Sequence, residues 1–247
     1  MNAPLIETRA LTLAAAGRVL VQSLDWRAAI GERWCVIGRN AAGKSSLLRT
    51  LAGVGDAALL RGGRVSWLGR VAADWPTTDA AAVRSFLPQQ ASDRFPITVE
   101  RLLELSVVQP RHEAAATLDA LDAVALAGRN VLELSGGERQ RVALAQCAVQ
   151  GAPLLLLDEP VAFQDPAHQL QVAQWFDTLH RDHALVISAH DVNWIARAAT
   201  HVLALLPDGH CEQGGAAEML DADRLRRVYG CDWRAVGSDA GRVWVAQ

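Results

Sequence analysis

The chain has 247 residues, 51% of them hydrophobic and 21% charged, which is enough to bury a core and ordinary for a soluble globular protein. Its 24 cationic and 27 anionic side chains leave a net charge of −3, which supplies neither a basic field for nucleic acid nor a polybasic membrane anchor. The longest apolar runs, such as LLLL at 154–157 and HVLALL at 201–206, fall far short of the roughly 20 residues of a membrane-spanning helix, and MNAPLIETRA reads as no export signal.

In chain order, LIETRALTL, GRVL and SLDWRAAI read as short strands separated by turns, and Gly31-Glu32 leads into RWCVIG, an apolar strand ending at Gly38. The next stretch, GRNAAGKSS, places Gly38, Gly43, Lys44 and Ser45 in the frame G-x-x-x-x-G-K-[ST]. SSLLRTLAG then supplies a helix with Leu47, Leu48 and Leu51 on one side and Gly53 as its stop. Strand, glycine-framed loop and helix make the setting of a phosphate cradle. Backbone N–H groups of residues 41–45 at the helix start would hold phosphate oxygens, Lys44 would reach the terminal phosphates and Ser45 would hold Mg2+. Composition singles out the same place: every one of the 24 cationic residues except Lys44 is arginine, so this position demands a compact ammonium.

GGRVSWLG is a further turn-flanked strand, and SFLPQQ puts Gln89 at a strand end with Gln90 as an adjacent candidate. After the polar stretch ASDRFP the pattern is helical from Ile97 to Arg129: Thr98 caps one helix and HEAAATLDALDAVALAG continues as another, a candidate inserted subdomain. In LELSGGERQRVALAQ, Ser135 and Glu138 form an S-x-x-E capping box, and Gly136 and Gly137 let the backbone approach another group closely. That is a second helix start suited to an anion. LLLLDEP fits a strand buried on both faces that ends in two carboxylates; of Asp158 and Glu159, one can hold a metal while the other addresses a water. ALVISAHD is a second buried strand with His190 just past its carboxyl end. Gly38 to Ser45, Asp158, Glu159 and His190 can therefore converge at the carboxyl edge of a parallel sheet. A hairpin at LALLPDGHCEQGG, a helix at AAEMLDADRLRRVYG and two short strands follow. Cys35, Cys147, Cys211 and Cys231 lack C-x-x-C spacing and read as reduced thiols, mostly packing residues, as do most of the tryptophans. His180 and His183 read as a solvated helix end, because no carboxylate or cysteine completes a metal-ligand set.

Taken together, these segments resemble the ATP-binding cassette (ABC) family. GRNAAGKSS looks like its Walker A loop, FLPQ its Q-loop, LSGGERQR its signature motif, LLLLDEP its Walker B strand, AFQD a degenerate D-loop and ISAHD its switch-histidine loop, in the family's order and across nearly the whole chain. The resemblance implies an α/β fold, a P-loop NTPase ABC cassette. Its RecA-like core and N-terminal antiparallel β subdomain would span 1–89 and 131–247, with an inserted helical subdomain over 90–130. It implies an ATPase that uses ATP and Mg2+ and pairs head to tail with a second copy of the cassette, each ATP lying between one Walker A loop and the other signature. On that pattern Gly38, Arg39, Asn40, Ala41, Ala42, Gly43, Lys44, Ser45 and Ser46 bind the nucleotide, and Ser45, Asp158 and Gln89 hold Mg2+. Glu159 orients or deprotonates the attacking water, His190 contacts the γ-phosphate, and Gln89 senses both metal and transport partner. Ser135, Gly136, Gly137 and Asp165 act across the dimer.

The resemblance further implies a peripheral protein on the cytoplasmic face of the inner (plasma) membrane, held there by transmembrane permease subunits and served indirectly by a substrate-binding protein, with no nucleic acid partner. FPITVERLLEL, HDVNWIARAATHVLAL and RRVYGCDW are similar to cassettes of importers for iron-siderophore complexes, haem and cobalamin, with a lean to cobalamin. Haem or Fe(III)-siderophore import and a non-transport regulatory or assembly cassette stand as alternatives. DNA-repair members carry long coiled coils and translation members a second cassette, and neither is present. Three departures from the family pattern carry expectations. Ala41 stands where such loops usually have glycine, at a cost of about 1–2 kcal/mol if the backbone there needs positive φ. Ala162 and Gln164 replace the usual D-loop serine and leucine. Ala14, Ala15 and Ala16 occupy the stretch that usually carries an adenine-stacking aromatic, so the platform is missing or supplied by a residue such as Trp26, and base discrimination is expected to be weak.

Overall fold

The computed structural model describes residues 3–90, 95–237 and 242–247; the first four positions of the polar ASDRFP stretch lie outside the described residues. In chain order the elements are β1 (Pro4–Ala15), β2 (Arg18–Ala29), β3 (Arg33–Ile37), α1 (Lys44–Leu51), β4 (Leu60–Trp67), β5 (Arg70–Val71), α2 (Thr77–Val83), β6 (Arg84–Leu87), α3 (Val99–Ser106), α4 (Ala114–Ala120) and α5 (Gly136–Val149). They continue with β7 (Leu154–Asp158), α6 (Pro166–Leu179), β8 (Ala184–Ser188), α7 (Val192–Ala198), β9 (His201–Leu205), β10 (Cys211–Gly215), α8 (Ala216–Met219), α9 (Ala222–Tyr229), β11 (Trp233–Val236) and β12 (Val243–Ala246).

Two sheets divide the work. An antiparallel sheet of order β2-β1-β4-β5 covers one side, and a second sheet runs β10-β9-β3-β8-β7-β6, parallel throughout except for β10. Strand periodicity explains the continuous apolar runs of the second sheet. Successive side chains point to opposite faces, and both faces are buried. Trp34 and Val36, Leu154 and Leu156, Ala184 and Val186, and Leu203 and Leu205 share one core with α1 and the antiparallel sheet. Their alternating neighbours Cys35 and Ile37, Leu155 and Leu157, Leu185 and Ile187, and Val202 and Ala204 share the other, which is completed by residues of α3, α5, α6, α7 and α9. The fold is therefore a helix-flanked sheet with an antiparallel layer on one face.

Local chemistry sets the helix starts. Thr98 Oγ1 accepts from Arg101 N at the head of α3, and Asp165, with Pro166 behind it, caps α6 through Ala167 N and His168 N. The capping box of α5 is closed in both directions: Glu138 N donates to Ser135 Oγ (3.4 Å) and Ser135 N to Glu138 Oε2 (2.8 Å). These bonds hold the Glu138 carboxyl below the usual carboxylate range, Ser135 N–H being the largest cause.

The structure differs from the sequence expectations in three elements. The second helix expected before Arg129 ends at Ala120, because the chain enters a left-handed turn at Asp122 (φ 50) and goes on as a short 3-10 turn. The C-terminal helix divides into α8 and α9, since Asp221 caps a new start by accepting from Arg224 N. His183 is no solvated helix end: it is 0% exposed, its ring lies against His112 with Nε2 atoms 3.3 Å apart, and its Nδ1 donates to Leu179 O. Burial holds both imidazole pKa values below their ordinary range. Cys35 and Cys147 are buried and Cys211 and Cys231 half-buried free thiols; burial pushes the first two up to about 12 and about 11. Among the described residues no helix is long and apolar enough to cross a membrane.

Candidate functional site

Strand order places the site. β3, β8, β7 and β6 are consecutive neighbours, and their register aligns Val36 with Ser188, Ser188 with Asp158, and Leu157 with Leu87. The segments that leave their carboxyl ends therefore begin side by side: Gly38 after β3, Ala189 and His190 after β8, Glu159 after β7, Gln89 after β6. A cavity of about 830 Å³ opens at this edge, lined by Asn40 to Ser46, Gln89, Glu159 and His190, together with Ala15 and Leu20 from the first hairpin.

The loop after β3 is tied to itself. Lys44, 5% exposed, turns its ammonium back to donate to the carbonyls of Gly38 (2.9 Å) and Arg39 (3.1 Å), and Ala42 N is spent on Arg39 O. Burial holds the Lys44 pKa below its ordinary value, partly offset by the carboxylates of Glu159 and Asp158. An oxyanion near this ammonium would meet a cation whose hydration is already lost. Gly43 caps α1 at φ 103, and a Cβ there would stand 2.9 Å from Leu20 Cβ, so both conformation and space require glycine. Ala41 is at φ 59, so the left-handed conformation that raises the cost of its methyl group is real. Arg39 points elsewhere than expected: its guanidinium lies 3.5 Å from where a Cβ on Gly230 would be, at the C-cap of α9.

The carboxylates form a connected set. Ser188 Oγ donates to Asp158 Oδ1 (2.6 Å) and accepts from Glu159 N (2.9 Å), so one buried hydroxyl fixes both acidic residues. Sequence reading misses Ser188; its signal is its place two residues before His190 at a buried strand end. The Glu159 carboxylate accepts from His190 Nε2 (2.5 Å) and Gln89 Nε2 (3.0 Å), and Glu159 takes φ 52 to turn its side chain out of the strand. Of the two candidate glutamines, Gln89 is the one that reaches the carboxylate. Asp158 is 0% exposed, and its Oδ2 has no hydrogen-bond partner among the described residues. Asp158 does not line the cavity, but its charge reaches the Lys44 ammonium, and a buried, unpaired carboxylate oxygen there, with Ser45 in the cavity wall, suits a hard cation that takes oxygen ligands.

Ser135, Gly136, Gly137 and Asp165 do not line this cavity. The Gly137 backbone passes so close to the segment after β7 that a Cβ would sit 3.2 Å from Phe163 O. Asp165 is engaged inside its own chain: Oδ1 accepts from Ala167 N and His168 N, and Oδ2 meets His168 Nδ1 at 2.8 Å. Trp26 is no base platform. It is 3% exposed, edge-on to Trp34 with centroids 5.4 Å apart, and absent from the cavity wall, where the described residues include no Trp, Tyr or Phe.

Comparison with known proteins places this constellation. The family model described as ABC transporter matches residues 21–162. A hemin import ATP-binding protein, HmuV, of Ruegeria sp. (strain TM1040) is 34% identical, over 93% of this chain and 92% of that protein. Those of Streptomyces coelicolor and Nocardia farcinica are 36% and 39% identical, over 89% and 87% of this chain and 81% and 76% of theirs. The lean to cobalamin finds no support among these relatives, whose names give hemin. A solved metal-chelate type ABC transporter in an inward-facing conformation superposes with a TM-score of 0.80 at 22% identity, covering 99% of this chain and 98% of that one, a likeness of fold. The chain belongs to the ABC transporter family, as an ATP-binding subunit whose ATPase activity is coupled to transport.

Proposed function

We propose that this chain is the ATPase subunit of an importer whose cargo is haem. The observation that carries the cargo is the run of hemin import relatives at 34–39% identity, aligned over most of their length and of this chain. The antiparallel layer and the sheet of β3 and β6 to β10 form the core regions in 1–89 and 131–247, and the block over 90–130 is the helical insert.

In the site, ATP enters the cavity with its phosphates on the Gly38–Ser46 loop, and Lys44 exchanges the carbonyls of Gly38 and Arg39 for phosphate oxygens. Ser45 and Asp158, with Gln89, would hold Mg2+, which when bound would offset phosphate charge. Glu159 orients the attacking water and takes its proton. Each carboxylate oxygen accepts one hydrogen bond and keeps a lone pair for the water, and His190, once it leaves Oε1, addresses the γ-phosphate. Ser135, Gly136 and Gly137 serve a second copy's nucleotide: the helix start they form is capped and close-packed but stands apart from its own chain's cavity. Asp165 acts across the same dimer. The subunit works at the cytoplasmic side of the membrane through permease subunits fed by a substrate-binding protein.

The test is to identify the membrane protein that co-purifies with the chain, reconstitute both in liposomes, and measure ATP-driven uptake of haem beside cobalamin and a ferric siderophore. Haem uptake that is lost in Glu159→Gln is the expected result. Uptake of cobalamin or siderophore in preference to haem overturns the cargo assignment.

A further inference from the structure

His168 stands outside the cavity and outside every motif that the family resemblance draws on, yet it joins two carboxylates that belong to different parts of the chain. Its Nδ1 meets Asp165 Oδ2 at 2.8 Å, and its Nε2 meets Asp122 Oδ2 at 3.4 Å. Asp122 lies just past α4 in a left-handed turn, while Asp165 ends the segment that starts at Glu159. One turn further along the same face of α6, Gln171 Nε2 donates to Ala120 O at 3.0 Å. α6 is thus attached to the end of α4 at two consecutive points.

The segment between Glu159 and Asp165 is short and internally bonded. Ala162 N donates to Glu159 O and Gln164 N to Val161 O; Gln140 Nε2 of α5 also donates to Glu159 O (3.2 Å), and Gln164 Nε2 to Pro160 O (3.4 Å). Its far end is held by Gln169 Nε2 on Gln164 O and by the Asp165 cap. A shift of Asp165 is therefore passed along a stiff strap to Glu159, whose carboxylate faces the cavity. An imidazole between two carboxylates donates from both nitrogens when protonated, which offsets two like charges at the joint.

We propose that His168 is a positioning residue for ATP hydrolysis: by bridging Asp122 and Asp165 it ties the helical block to the strap that aims Glu159. The inference rests on the reading of Glu159 as the residue that directs the attacking water. It does not require His168 to touch nucleotide.

Three variants isolate the bridge in the transporter purified with its membrane partner. His168→Asn keeps an N–H near the place of Nδ1 and so the Asp165 contact; His168→Gln keeps one near the place of Nε2; Asp122→Ala removes an exposed carboxylate at a left-handed position, where the added backbone strain of alanine is read separately as a lower melting temperature. His168→Gln and Asp122→Ala are expected to lower kcat by roughly threefold to thirtyfold, the range of couplings carried through packed elements, with KM for ATP within about twofold of the wild type. His168→Asn, which like Asp122→Ala leaves only the Asp165 contact, is expected to show the same loss as Asp122→Ala. A purely structural histidine would instead lower the melting temperature and leave kcat per folded molecule unchanged. That outcome overturns the proposal, as does a kcat within about twofold of wild type in both His168→Gln and Asp122→Ala. Glu159→Gln, run in parallel, separates the two readings. If it still hydrolyses ATP at the wild-type rate, the role of Glu159 falls and this inference with it. If it is inactive while the bridge variants are normal, only the bridge is refuted.

Discussion

Replacing Ala41 by glycine tests how the Gly38–Ser46 loop carries its departure from the family pattern. Ala41 is exposed and at φ 59, so its methyl group buries nothing and crowds its own backbone. A Cβ in the left-handed region costs about 1–2 kcal/mol relative to glycine. Glycine returns about 0.5–1 kcal/mol of that through the greater freedom of the unfolded chain. The balance favours Ala41→Gly by about 0–1.5 kcal/mol, which for a chain of this size raises the melting temperature by up to roughly 6 °C. ATP affinity should be unchanged or tighter, because a loop already in the left-handed conformation carries the strain both with and without nucleotide. Calorimetric unfolding and ATP titration read the two quantities on the same samples, and Ala41→Val serves as the opposite perturbation, since a β-branched residue tolerates positive φ worse. A fall of more than about 2 °C in Ala41→Gly, or a tenfold weaker Kd, would refute the argument and assign the methyl group a contact of its own.

Three other outcomes follow from the same geometry. Ser188→Ala leaves Asp158 Oδ1 and Glu159 N without their shared hydroxyl; stability should fall by about 1–3 kcal/mol, and an unchanged melting temperature would mean that the pair is satisfied some other way. With no Trp, Tyr or Phe among the described residues of the cavity wall, ATP and GTP should bind within about threefold of each other, and Trp26→Phe should not alter the ratio; a strong ATP preference in competition titration would require an aromatic contact supplied from outside this wall. The pKa values of Glu138 and Asp165 are lowered, the first mainly by the Ser135 N–H and the second mainly by the His168 N–H. A depressed carboxylate contributes stability that is fully present above its unfolded value, near 4, and is lost as pH falls through the folded one. Denaturant unfolding from pH 6 down to about pH 2 should therefore show a shallower acid loss in Glu138→Gln/Asp165→Asn than in the wild type, and an equal slope would remove these caps from the acid limb.

Much of the site is legible in the sequence because each part sits at the end of a strand that local pattern identifies. Lys44 is the single lysine and stands in a fixed glycine frame, and Asp158, Glu159 and His190 each follow a short apolar run buried on both faces. Strand order could not be read in that way, yet it is what makes β3, β8, β7 and β6 adjacent and brings Gln89 to Glu159 across 70 positions. His183 fails for the same reason: HRDH looks like a polar turn, yet the His183 ring lies buried against His112, 71 positions away.

Trp26 shows a different kind of error, one that local pattern could have prevented. In SLDWRAA the apolar Leu24, Trp26 and Ala28 alternate with Asp25 and Arg27, the period of a strand with one face in the core, and all three are at most 3% exposed. Periodicity thus excludes Trp26 as a base platform before any family pattern is consulted. Asp165 calls for the same order of reasoning. The sequence D-P-A-H at the head of α6 is first a helix start, with the aspartate as N-cap and proline at the first position, and its carboxylate is filled by two backbone N–H groups and one imidazole. Any role for Asp165 across a dimer must be compatible with that cap, because freeing the carboxylate would uncap α6 and release His168 at the same time. If the segment meets a second copy as proposed, its contacts are best sought in its backbone and in Phe163, which is 75% exposed at φ 63.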